Sequence, residues 1–528
     1  VLFNLGSGTG PSSISAGSIK VVGDRCVEGA ITAGPTRRRP KPCVIYFSAE
    51  FDVPFKSLSA WTDGVERGTV RSANGKDCKA LVHFPADAER VVQLKVALSY
   101  VSTEQARLNL EAELPHWDFE KVQAESRQVW NDWLGKIEVE GGTEAERIKF
   151  YTDLWHVLLG RRINSDVNGK YCDRTGPEPV IRQIPLTPQG KPKYHHYNSD
   201  AFWNTFWNIN QVWGLAYPEV TRSFVGCMLD IYRDGGLIPR GPSGNNYTWV
   251  MIASHSTPFI TGAYMKGIRD FDVETAYAGM RKNALSGGAL AHGHYEHNSA
   301  ESGGLEAYLQ YGYIPADVPL KGWYTESAAG TLEYAYDDWC LAEMALELGE
   351  TDDAKLFAKR AANYRNLFDA GTGFMRPRNK DGSWLTPFDL LAERQGKLRV
   401  WCEGTAYQYT FFVPHDVAGL IELMGGRDAF NQKLNTAFQR SLNDEFHTHY
   451  VNYGNQPSIQ MAHLFNYSGA PWLAQKWVRA VKSKTFGGIS PEGGYRGDED
   501  QGQAGGLCVM MALGLFQTRG GAAREPVY

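Results

Sequence analysis

A change in hydrophobic periodicity near residue 105 constrains this chain more than any other feature. Before it, short β-branched and aromatic runs are separated by Gly, Pro, Asn and Asp, which predicts short strands joined by turns. After residue 144, apolar residues recur at the three- and four-residue spacing of amphipathic helices. The chain is therefore expected to contain a β domain followed by a larger helical domain.

The β part is predicted to be a sandwich that covers residues 1–105. It is expected to be incomplete, because the chain opens as if already inside a strand. Two helical patterns separated by Pro115 then predict a helical linker over 106–140. The glycines at 141 and 142 mark the boundary to a helical domain over 141–528.

The helical domain is expected to be an (α/α)6 barrel. Its helices are joined by long loops rich in Gly, Pro and aromatic residues. A helical solenoid is the alternative, but solenoid repeats usually show a sequence period, and none is visible here. The loops at one mouth of such a barrel would carry the chemistry. The predicted helices are 145–159, 206–217, 219–234, 258–267, 272–284, 330–348, 351–367, 405–413, 416–424, 427–442, 459–467, 471–481 and 505–516.

Charge and composition exclude several classes of protein. The formal net charge is -5 and no long like-charge run occurs, which argues against nucleic-acid or anionic-membrane partners. No apolar run is long enough for a membrane span. The eight cysteines are scattered without zinc-ligand spacing, and the HGHYEH segment at 292–297 lacks the HExxH pattern. Aromatic residues make up 12%, which favours a carbohydrate site because sugar C–H faces stack on aromatic rings.

Two acidic segments suggest sugar hydrolysis, which needs two carboxyl groups on opposite sides of one glycosidic bond. Glu403 lies in an aromatic-rich run, where desolvation raises the pKa of a carboxyl and suits it to act as a general acid. Asp498, Glu499 and Asp500 are so close that they resist joint ionisation, which suits one of them to act as a base. The alternative for Glu403 is a buried glutamate that is hydrogen-bonded to a neighbour. The alternative for residues 498–500 is an acidic turn exposed to solvent.

Two further segments carry candidate binding residues. Trp203 and Trp207 are four residues apart and are expected on one helical face, in the core or along a substrate site. Asn204 lies between them, and its amide needs hydrogen-bond partners if it is buried. Asn455 and Gln456 offer side-chain oxygens of the kind that ligate calcium or bind sugar hydroxyls, the alternative being a turn before a helix.

Taken together, these segments resemble glycoside hydrolase family 92, the calcium-dependent, inverting, exo-acting α-mannosidases. The resemblance covers nearly the whole chain and implies an N-terminal β-sandwich, a helical linker and an (α/α)6 barrel. It implies that Glu403, in an EGxAxQY pattern, is the general acid. Asp498 and Asp500 match the acidic pair that handles the water, with Asp500 as the base. The strongest segments are 100–119, 141–156, 330–339, 403–426, 453–457, 466–472 and 497–507.

The same resemblance implies a Ca²⁺ cofactor, with Asn455, Gln456 and Asp500 as its expected ligands. Trp203 and Asn204 are expected to contact the substrate together with Asn455 and Gln456. The implied substrate is a mannose-containing oligosaccharide or a glycoprotein glycan. Inversion needs room for a water molecule, which predicts roughly 6.5–9.5 Å between the acid and base carboxyls.

Two departures from the family pattern concern the site. The family often has Trp-Asp-Thr where this chain has Trp203-Asn204-Thr205, so a substrate contact is expected to be altered. The family often has Asn-Glu-Pro where this chain has Asn455-Gln456-Pro457, which removes a charge near the metal.

Alternatives to a mannosidase remain within the same fold. A mannosyl-phosphodiester hydrolase could dispense with the acid, because phosphate leaves without protonation, so the presence of Glu403 favours a sugar leaving group. A catalytically silent mannan-binding protein is disfavoured by the intact acidic residues. The chain opens at Val1 without Met or a signal peptide, so it is expected to be a fragment. A secreted or periplasmic location is inferred from the substrate class alone.

Overall fold

The computed structural model describes residues 1–8, 10–36, 41–85, 91–160, 162–293, 303–322 and 325–522. The chain forms two compact units. The first comprises Val1–Trp133 with Ile163–Tyr197, and the second comprises Leu134–Arg162 with Asn198–Tyr528. Of the helices that are described, none is both long and apolar enough to cross a bilayer.

The first unit contains two antiparallel sheets. Strands β1 to β9 are Leu2–Asn4, Ile14–Val22, Cys26–Ala33, Cys43–Phe51, Ser57–Thr62, Val65–Val70, Ser72–Gly75, Cys78–His83 and Leu94–Ser99. One sheet has the order β7-β2-β3-β4-β9 and the other the order β1-β8-β5-β6. Alternate residues of β5 and β8, such as Leu58 and Val82, are buried in one core with Phe47 and Phe51 of β4. Two sheets with a shared core form a β-sandwich.

Two helices follow the strands. They are α1, Thr103–Glu113, and α2, Phe119–Leu134. The hydroxyl of Ser102 accepts the N–H of Gln105 at 3.2 Å, which caps α1. Four short strands follow later in the chain: β10 is Arg162–Ile163, β11 is Lys170–Asp173, β12 is Val180–Gln183 and β13 is Tyr197–Asn198.

The second unit is predominantly helical. Helices α3 to α15 are Glu144–Leu159, Ile209–Ala216, Pro218–Gly235, Ser256–Met265, Val273–Asn283, Leu305–Tyr311, Ser327–Leu348, Thr351–Ala361, Ala406–Tyr409, Val417–Leu423, Arg427–Ser441, Pro471–Thr485 and Gln503–Leu513. Short 3₁₀ turns are Thr205–Trp207, Ala289–Ala291, Ala362–Leu367, Gln456–Ser458 and Met461–Asn466. Strands β14 to β17 are Phe368–Asp369, Phe374–Met375, Arg394–Gln395 and Leu398–Arg399.

Helix α9 passes through the core of this unit. Most of its side chains are buried, as expected of a helix whose small, aliphatic and aromatic residues cover every side. Its core also includes Trp203, Trp401 and Tyr409, which come from loops and from α11. Glu333 lies on α9 and is fully buried. The helix therefore carries this carboxyl group into the core, together with the buried carboxyls of Asp337 and Asp338.

The predicted fold class, an N-terminal β-rich domain followed by a helical domain, is confirmed. The prediction that Trp203 and Trp207 lie on one helical face is wrong. Asn204 has a φ of 56°, the next three residues form a 3₁₀ turn, and α4 begins only at Ile209. The left-handed conformation of Asn204 interrupts the backbone between the two tryptophans, so they do not share a helix. The histidines at 294 and 297 lie outside the described residues.

Candidate active site

Glu403 lies in the loop that leads into α11. It follows the buried residues Trp401 and Cys402, and its own side chain remains accessible to solvent. Thr405 caps α11 through a reciprocal box: its hydroxyl accepts the N–H of Gln408, and the Gln408 side chain accepts the N–H of Thr405. The backbone on both sides of Glu403 is thus anchored, while its carboxyl can reach a ligand.

Asp498, Glu499 and Asp500 lie in the loop that ends at the N-terminus of α15. The Glu499 carboxylate accepts the N–H groups of Gly502 at 2.8 Å and Gly505 at 3.2 Å, in the first turn of the helix. Asp498 is exposed and Asp500 is half-buried. Because Glu499 is occupied with the helix end, Asp498 and Asp500 are the carboxyls of this loop that are free for chemistry.

Helix α3 packs against the same loop. The hydroxyl of Tyr495 donates to Asp153 Oδ1 at 2.7 Å, and Lys149 Nζ lies 4.3 Å from the centre of the Tyr495 ring while pairing with Asp153. Gly502 has a φ of 103°, and a Cβ there would lie 2.7 Å from the His156 carbonyl oxygen. Only glycine fits this close approach, which holds the loop against α3.

Two adjacent amides connect the two acidic loops. The Asn455 Nδ2 donates to Glu403 Oε2 at 3.1 Å. The side-chain amide of Gln456 donates to Asp500 Oδ2. Asn455 Oδ1 in turn accepts the N–H of Gln456 at 2.8 Å, which fixes the pair. Four of the predicted site residues, from three separate parts of the chain, therefore meet at one place.

The backbone around this site is unusual. Glu403, Asp500 and Asn204 have φ values of 50°, 54° and 56°, in the left-handed region that non-glycine residues rarely occupy. Gly497, with a φ of 72°, lies so close to Gly454 that a Cβ would be 2.1 Å from the Gly454 carbonyl oxygen. Such conformations tend to gather at functional sites, where the surrounding structure compensates for the strain.

The surroundings of the site raise the pKa of two of its carboxyls, those of Glu403 and Asp500. Desolvation raises the pKa of Glu403, and the negative charges of Asp500 and Asp498 add to this effect, while the hydrogen bond from Asn455 lowers it. Desolvation also raises the pKa of Asp500, against the lowering effect of its bond from Gln456. Two neighbouring carboxyls that repel each other and have different hydrogen-bond partners can differ in pKa, so one can act as an acid and the other as a base.

Trp203 and Asn204 belong to a second group of residues, centred on Glu333. The Trp203 Nε1 donates to Glu333 Oε2 at 2.9 Å. The Asn204 N–H donates to His255 Nδ1 at 2.8 Å, and His255 Nε2 lies 3.6 Å from Glu333 Oε2. Asn204 is fully buried, and neither of its amide atoms has a hydrogen-bond partner among the described residues.

Sequence reasoning missed Glu333 and His255. A signal was present for Glu333, because a carboxyl in an otherwise apolar helical run needs a buried partner. His255 had no comparable signal, since its partners come from distant loops.

The side-chain oxygen atoms near Asp500 are of the kind that bind a hard cation. Within the described residues, no group of three or more His, Cys, Asp or Glu side chains is placed to hold a metal ion. A cation here would therefore need amide or carbonyl oxygens beside Asp500, and calcium accepts that mixture. Arg496, which precedes the acidic loop, pairs with Glu445 at 3.3 Å rather than with Asp498 or Asp500. The residues present thus fit calcium in their chemistry.

Comparison with known proteins gives a consistent result over nearly the whole chain. The profile of the glycosyl hydrolase family 92 catalytic domain matches residues 105–525, and that of the family 92 N-terminal domain matches residues 1–99. An uncharacterized secreted glycosidase from Arthroderma benhamiae is 27% identical over 458 residues. That match covers 81% of this chain and 51% of the relative, so the chain spans about half the length of that protein.

Two solved structures are similar in fold. A family GH92 α-mannosidase from Bacteroides thetaiotaomicron has a TM-score of 0.83 at 28% identity, over 97% of this chain and 64% of its own. A family GH92 inverting mannosidase from the same organism has a TM-score of 0.83 at 27% identity, over 98% of this chain and 68% of its own. The first of these proteins has also been solved in complex with mannoimidazole.

Proposed function

Because the chain belongs to glycosyl hydrolase family 92, we propose that it is part of an exo-α-mannosidase that removes terminal α-linked mannose from mannose-rich glycans with inversion. In this proposal Glu403 is the general acid, and Asp500, assisted by Asp498, is the general base. One observation carries it: the adjacent amides of Asn455 and Gln456 each bind one of the two carboxyls.

The proton required by the leaving group would come from Glu403. Desolvation raises the pKa of this carboxyl above that of an ordinary glutamate, which is the direction that suits a proton donor. Asn455 Nδ2 occupies Oε2, which therefore serves as the acceptor end of the carboxylic acid. Oε1 is then the oxygen that carries the proton to the glycosidic oxygen as the C–O bond breaks.

The attacking water would be deprotonated by Asp500. The Gln456 amide holds one oxygen of this carboxylate, which leaves the other to accept the proton. The neighbouring charge of Asp498 disfavours ionisation of Asp500 and so makes it a better proton acceptor once it is ionised. The expected separation of roughly 6.5–9.5 Å between the Glu403 and Asp500 carboxyls stays a prediction of the inverting mechanism.

Calcium is part of the proposal. Asp500, Gln456 and Asn455 would hold it, because their oxygens are the hard donors that calcium accepts. The bound ion would supply positive charge that fixes vicinal sugar hydroxyls. Trp203 and Asn204 would contact the substrate after local opening of the site, because both side chains are buried. The expected substrate is a mannose-containing oligosaccharide or a glycoprotein glycan, and the secreted glycosidase among the relatives supports a location outside the cytoplasm.

The experiment is mannose release from an α-1,2-linked mannobiose, with EDTA, without it, and after calcium is added back. NMR identifies the first-formed anomer, which is β-mannose for inversion. Calcium-dependent release of β-mannose is the expected result. First-formed α-mannose would contradict inversion, and full activity in EDTA would contradict the calcium site. Absence of release from folded protein would argue for the mannan-binding alternative, which direct mannan binding then tests.

A further inference from the structure

The fully buried carboxyl of Glu333 joins the two groups of site residues. Its Oε2 accepts Trp203 Nε1–H at 2.9 Å, and its Oε1 lies 3.0 Å from the Tyr409 hydroxyl. The same hydroxyl lies 2.9 Å from the carbonyl oxygen of Cys402. That carbonyl belongs to the peptide bond that continues into Glu403, the proposed acid. One side chain on α9 is thus linked to both the tryptophan and the backbone of Glu403.

The number of O–H protons available for these hydrogen bonds indicates whether Glu333 is ionised or neutral. A tyrosine hydroxyl has one proton, so Tyr409 can fully satisfy either the Cys402 carbonyl or an ionised Glu333, but not both. If Glu333 is a neutral carboxylic acid, its own O–H donates from Oε1 to Tyr409, and Tyr409 donates to Cys402. Oε2 still accepts from Trp203. Every polar group of the chain from Trp203 to Cys402 then has a partner.

The surroundings of Glu333 favour the neutral form. The residue is fully buried, and the described residues include no lysine or arginine that forms an ion pair with it. Desolvation raises its pKa well above the usual range, and the negative charges of Asp337 and Glu326 act in the same direction. His255 does not supply a positive charge, because burial lowers its pKa to about 3.

His255 extends the network to Asn204. Its Nδ1 accepts the Asn204 N–H, so the neutral imidazole carries its proton on Nε2, the nitrogen that faces Glu333 Oε2 at 3.6 Å. This distance is a contact rather than a hydrogen bond, so the imidazole packs between the Asn204 backbone and the Glu333 carboxyl. Two proposed site residues, Trp203 and Glu403, are therefore connected to Glu333 through hydrogen bonds, and Asn204 lies beside it through His255.

We propose that Glu333 is a positioning residue which, as a neutral carboxylic acid, sets the orientation of the Trp203 indole and of the Glu403 backbone for catalysis. This inference rests on the proposed function of Glu403 as the acid. Glu333 does not touch the substrate. It acts through Trp203, which affects binding of the terminal mannose, and through Tyr409, which affects delivery of the proton.

The test compares Glu333→Gln, Glu333→Met and Tyr409→Phe on two substrates, α-1,2-mannobiose and an aryl α-mannoside with a good leaving group. Glutamine can donate to Tyr409 and accept from Trp203, so E333Q should stay within about threefold of the wild type. Methionine can do neither, and misplacement of the acid should lower kcat on mannobiose by roughly 100-fold. On the aryl mannoside, whose leaving group needs little protonation, the loss should stay below about tenfold.

The link from Glu333 to Trp203 and the link through Tyr409 to Glu403 should affect different kinetic constants. E333M should also raise KM on both substrates, because the Trp203 indole loses its acceptor. Y409F should lower kcat on mannobiose and leave KM nearly unchanged, since the Trp203 bond to Glu333 persists. A matched control is Asp338→Asn, which alters another fully buried carboxyl of α9 that pairs with Arg360 and Tyr308. It should lower the melting temperature without any dependence on the leaving group.

Infrared spectroscopy gives a readout that does not depend on activity. The difference between the spectra of the wild type and E333Q at neutral pH should contain the C=O stretching band of one protonated carboxylic acid, that of Glu333. Equal losses for E333Q and E333M, or losses that are equal on both substrates and follow the melting temperature as in D338N, would overturn the inference.

The two proposals fail in different ways. A folded wild type without activity on either mannoside would contradict the proposed function, and the infrared band would then decide whether Glu333 is neutral. If E333M does not fold, Y409F still tests the arm that leads to Glu403. A Y409F variant with wild-type kcat on mannobiose would refute the proposed role of Glu333 in positioning Glu403.

Discussion

Replacing Glu403 with glutamine should remove one transferable proton and leave the rest of the site in place. Asn455 Nδ2 donates to Glu403 Oε2 at 3.1 Å, and the carbonyl oxygen of a glutamine can accept the same bond. The loss of rate therefore measures how much proton donation by Glu403 contributes to catalysis. General acid catalysis contributes roughly 10²–10⁴-fold, or about 2.7–5.4 kcal/mol of transition-state stabilisation. Hydrolysis of α-1,2-mannobiose should slow by that factor.

The leaving group provides the internal comparison. An aryl mannoside with an acidic phenol needs little protonation, so its hydrolysis by E403Q should fall by less than about tenfold. The assay is kcat/KM for both substrates at one pH, with Glu422→Gln, an exposed glutamate of α12, as the matched control. Equal losses on the two substrates would remove Glu403 from the acid role, because a structural lesion does not distinguish leaving groups.

Three other predictions test the base, the acidic loop and one buried histidine. Asp500→Asn should abolish hydrolysis of both mannosides, since water needs its base whichever group leaves; single-turnover rates near the wild type would exclude Asp500. Glu499→Ala removes the acceptor of two N–H groups at the start of α15, so thermal or urea unfolding should show a loss of roughly 0.5–2 kcal/mol, and unchanged stability would contradict the cap. His463 packs flat on Phe516 at 3.7 Å between ring centres, and burial lowers its pKa to about 3. Unfolding therefore takes up a proton as the pH falls below about 6.5, so His463→Phe should gain about 1.4 kcal/mol on the wild type for each pH unit between 6.5 and 4; parallel pH curves would refute this.

The sequence predicted those features that depend on local spacing. The spacing of apolar residues indicated a helix over 272–284, where α7 spans Val273–Asn283, because a periodic pattern with an Asp cap is a local property. The helix expected over 405–413 is only Ala406–Tyr409, since the aromatic residues that follow are buried in turns rather than in a longer helix. Burial of aromatic residues does not specify the backbone that carries them.

Partners of the site residues could not be predicted, because they come from distant segments. The carboxyls at 403 and 500 stood out by residue type and by their surrounding motifs. That Asn455 would bind one and Gln456 the other required the tertiary structure. The same holds for the bond from Trp203 to Glu333, which joins a loop to a core helix. A pattern can indicate which residues are chemically suitable, but only the fold brings their hydrogen-bond partners within reach.

The Gln456 side chain explains how one departure from the family pattern can be accommodated. A glutamate at this position would place a third carboxylate beside Asp498 and Asp500, and their mutual repulsion would need a cation for compensation. Gln456 instead donates a hydrogen bond to Asp500 Oδ2. The amide thus supplies part of the attraction that would otherwise fall to calcium. The proposed calcium site has one negative charge fewer than the same site with glutamate, so calorimetric titration with Ca²⁺ should show weaker binding than for Gln456→Glu, since ligand charge sets calcium affinity.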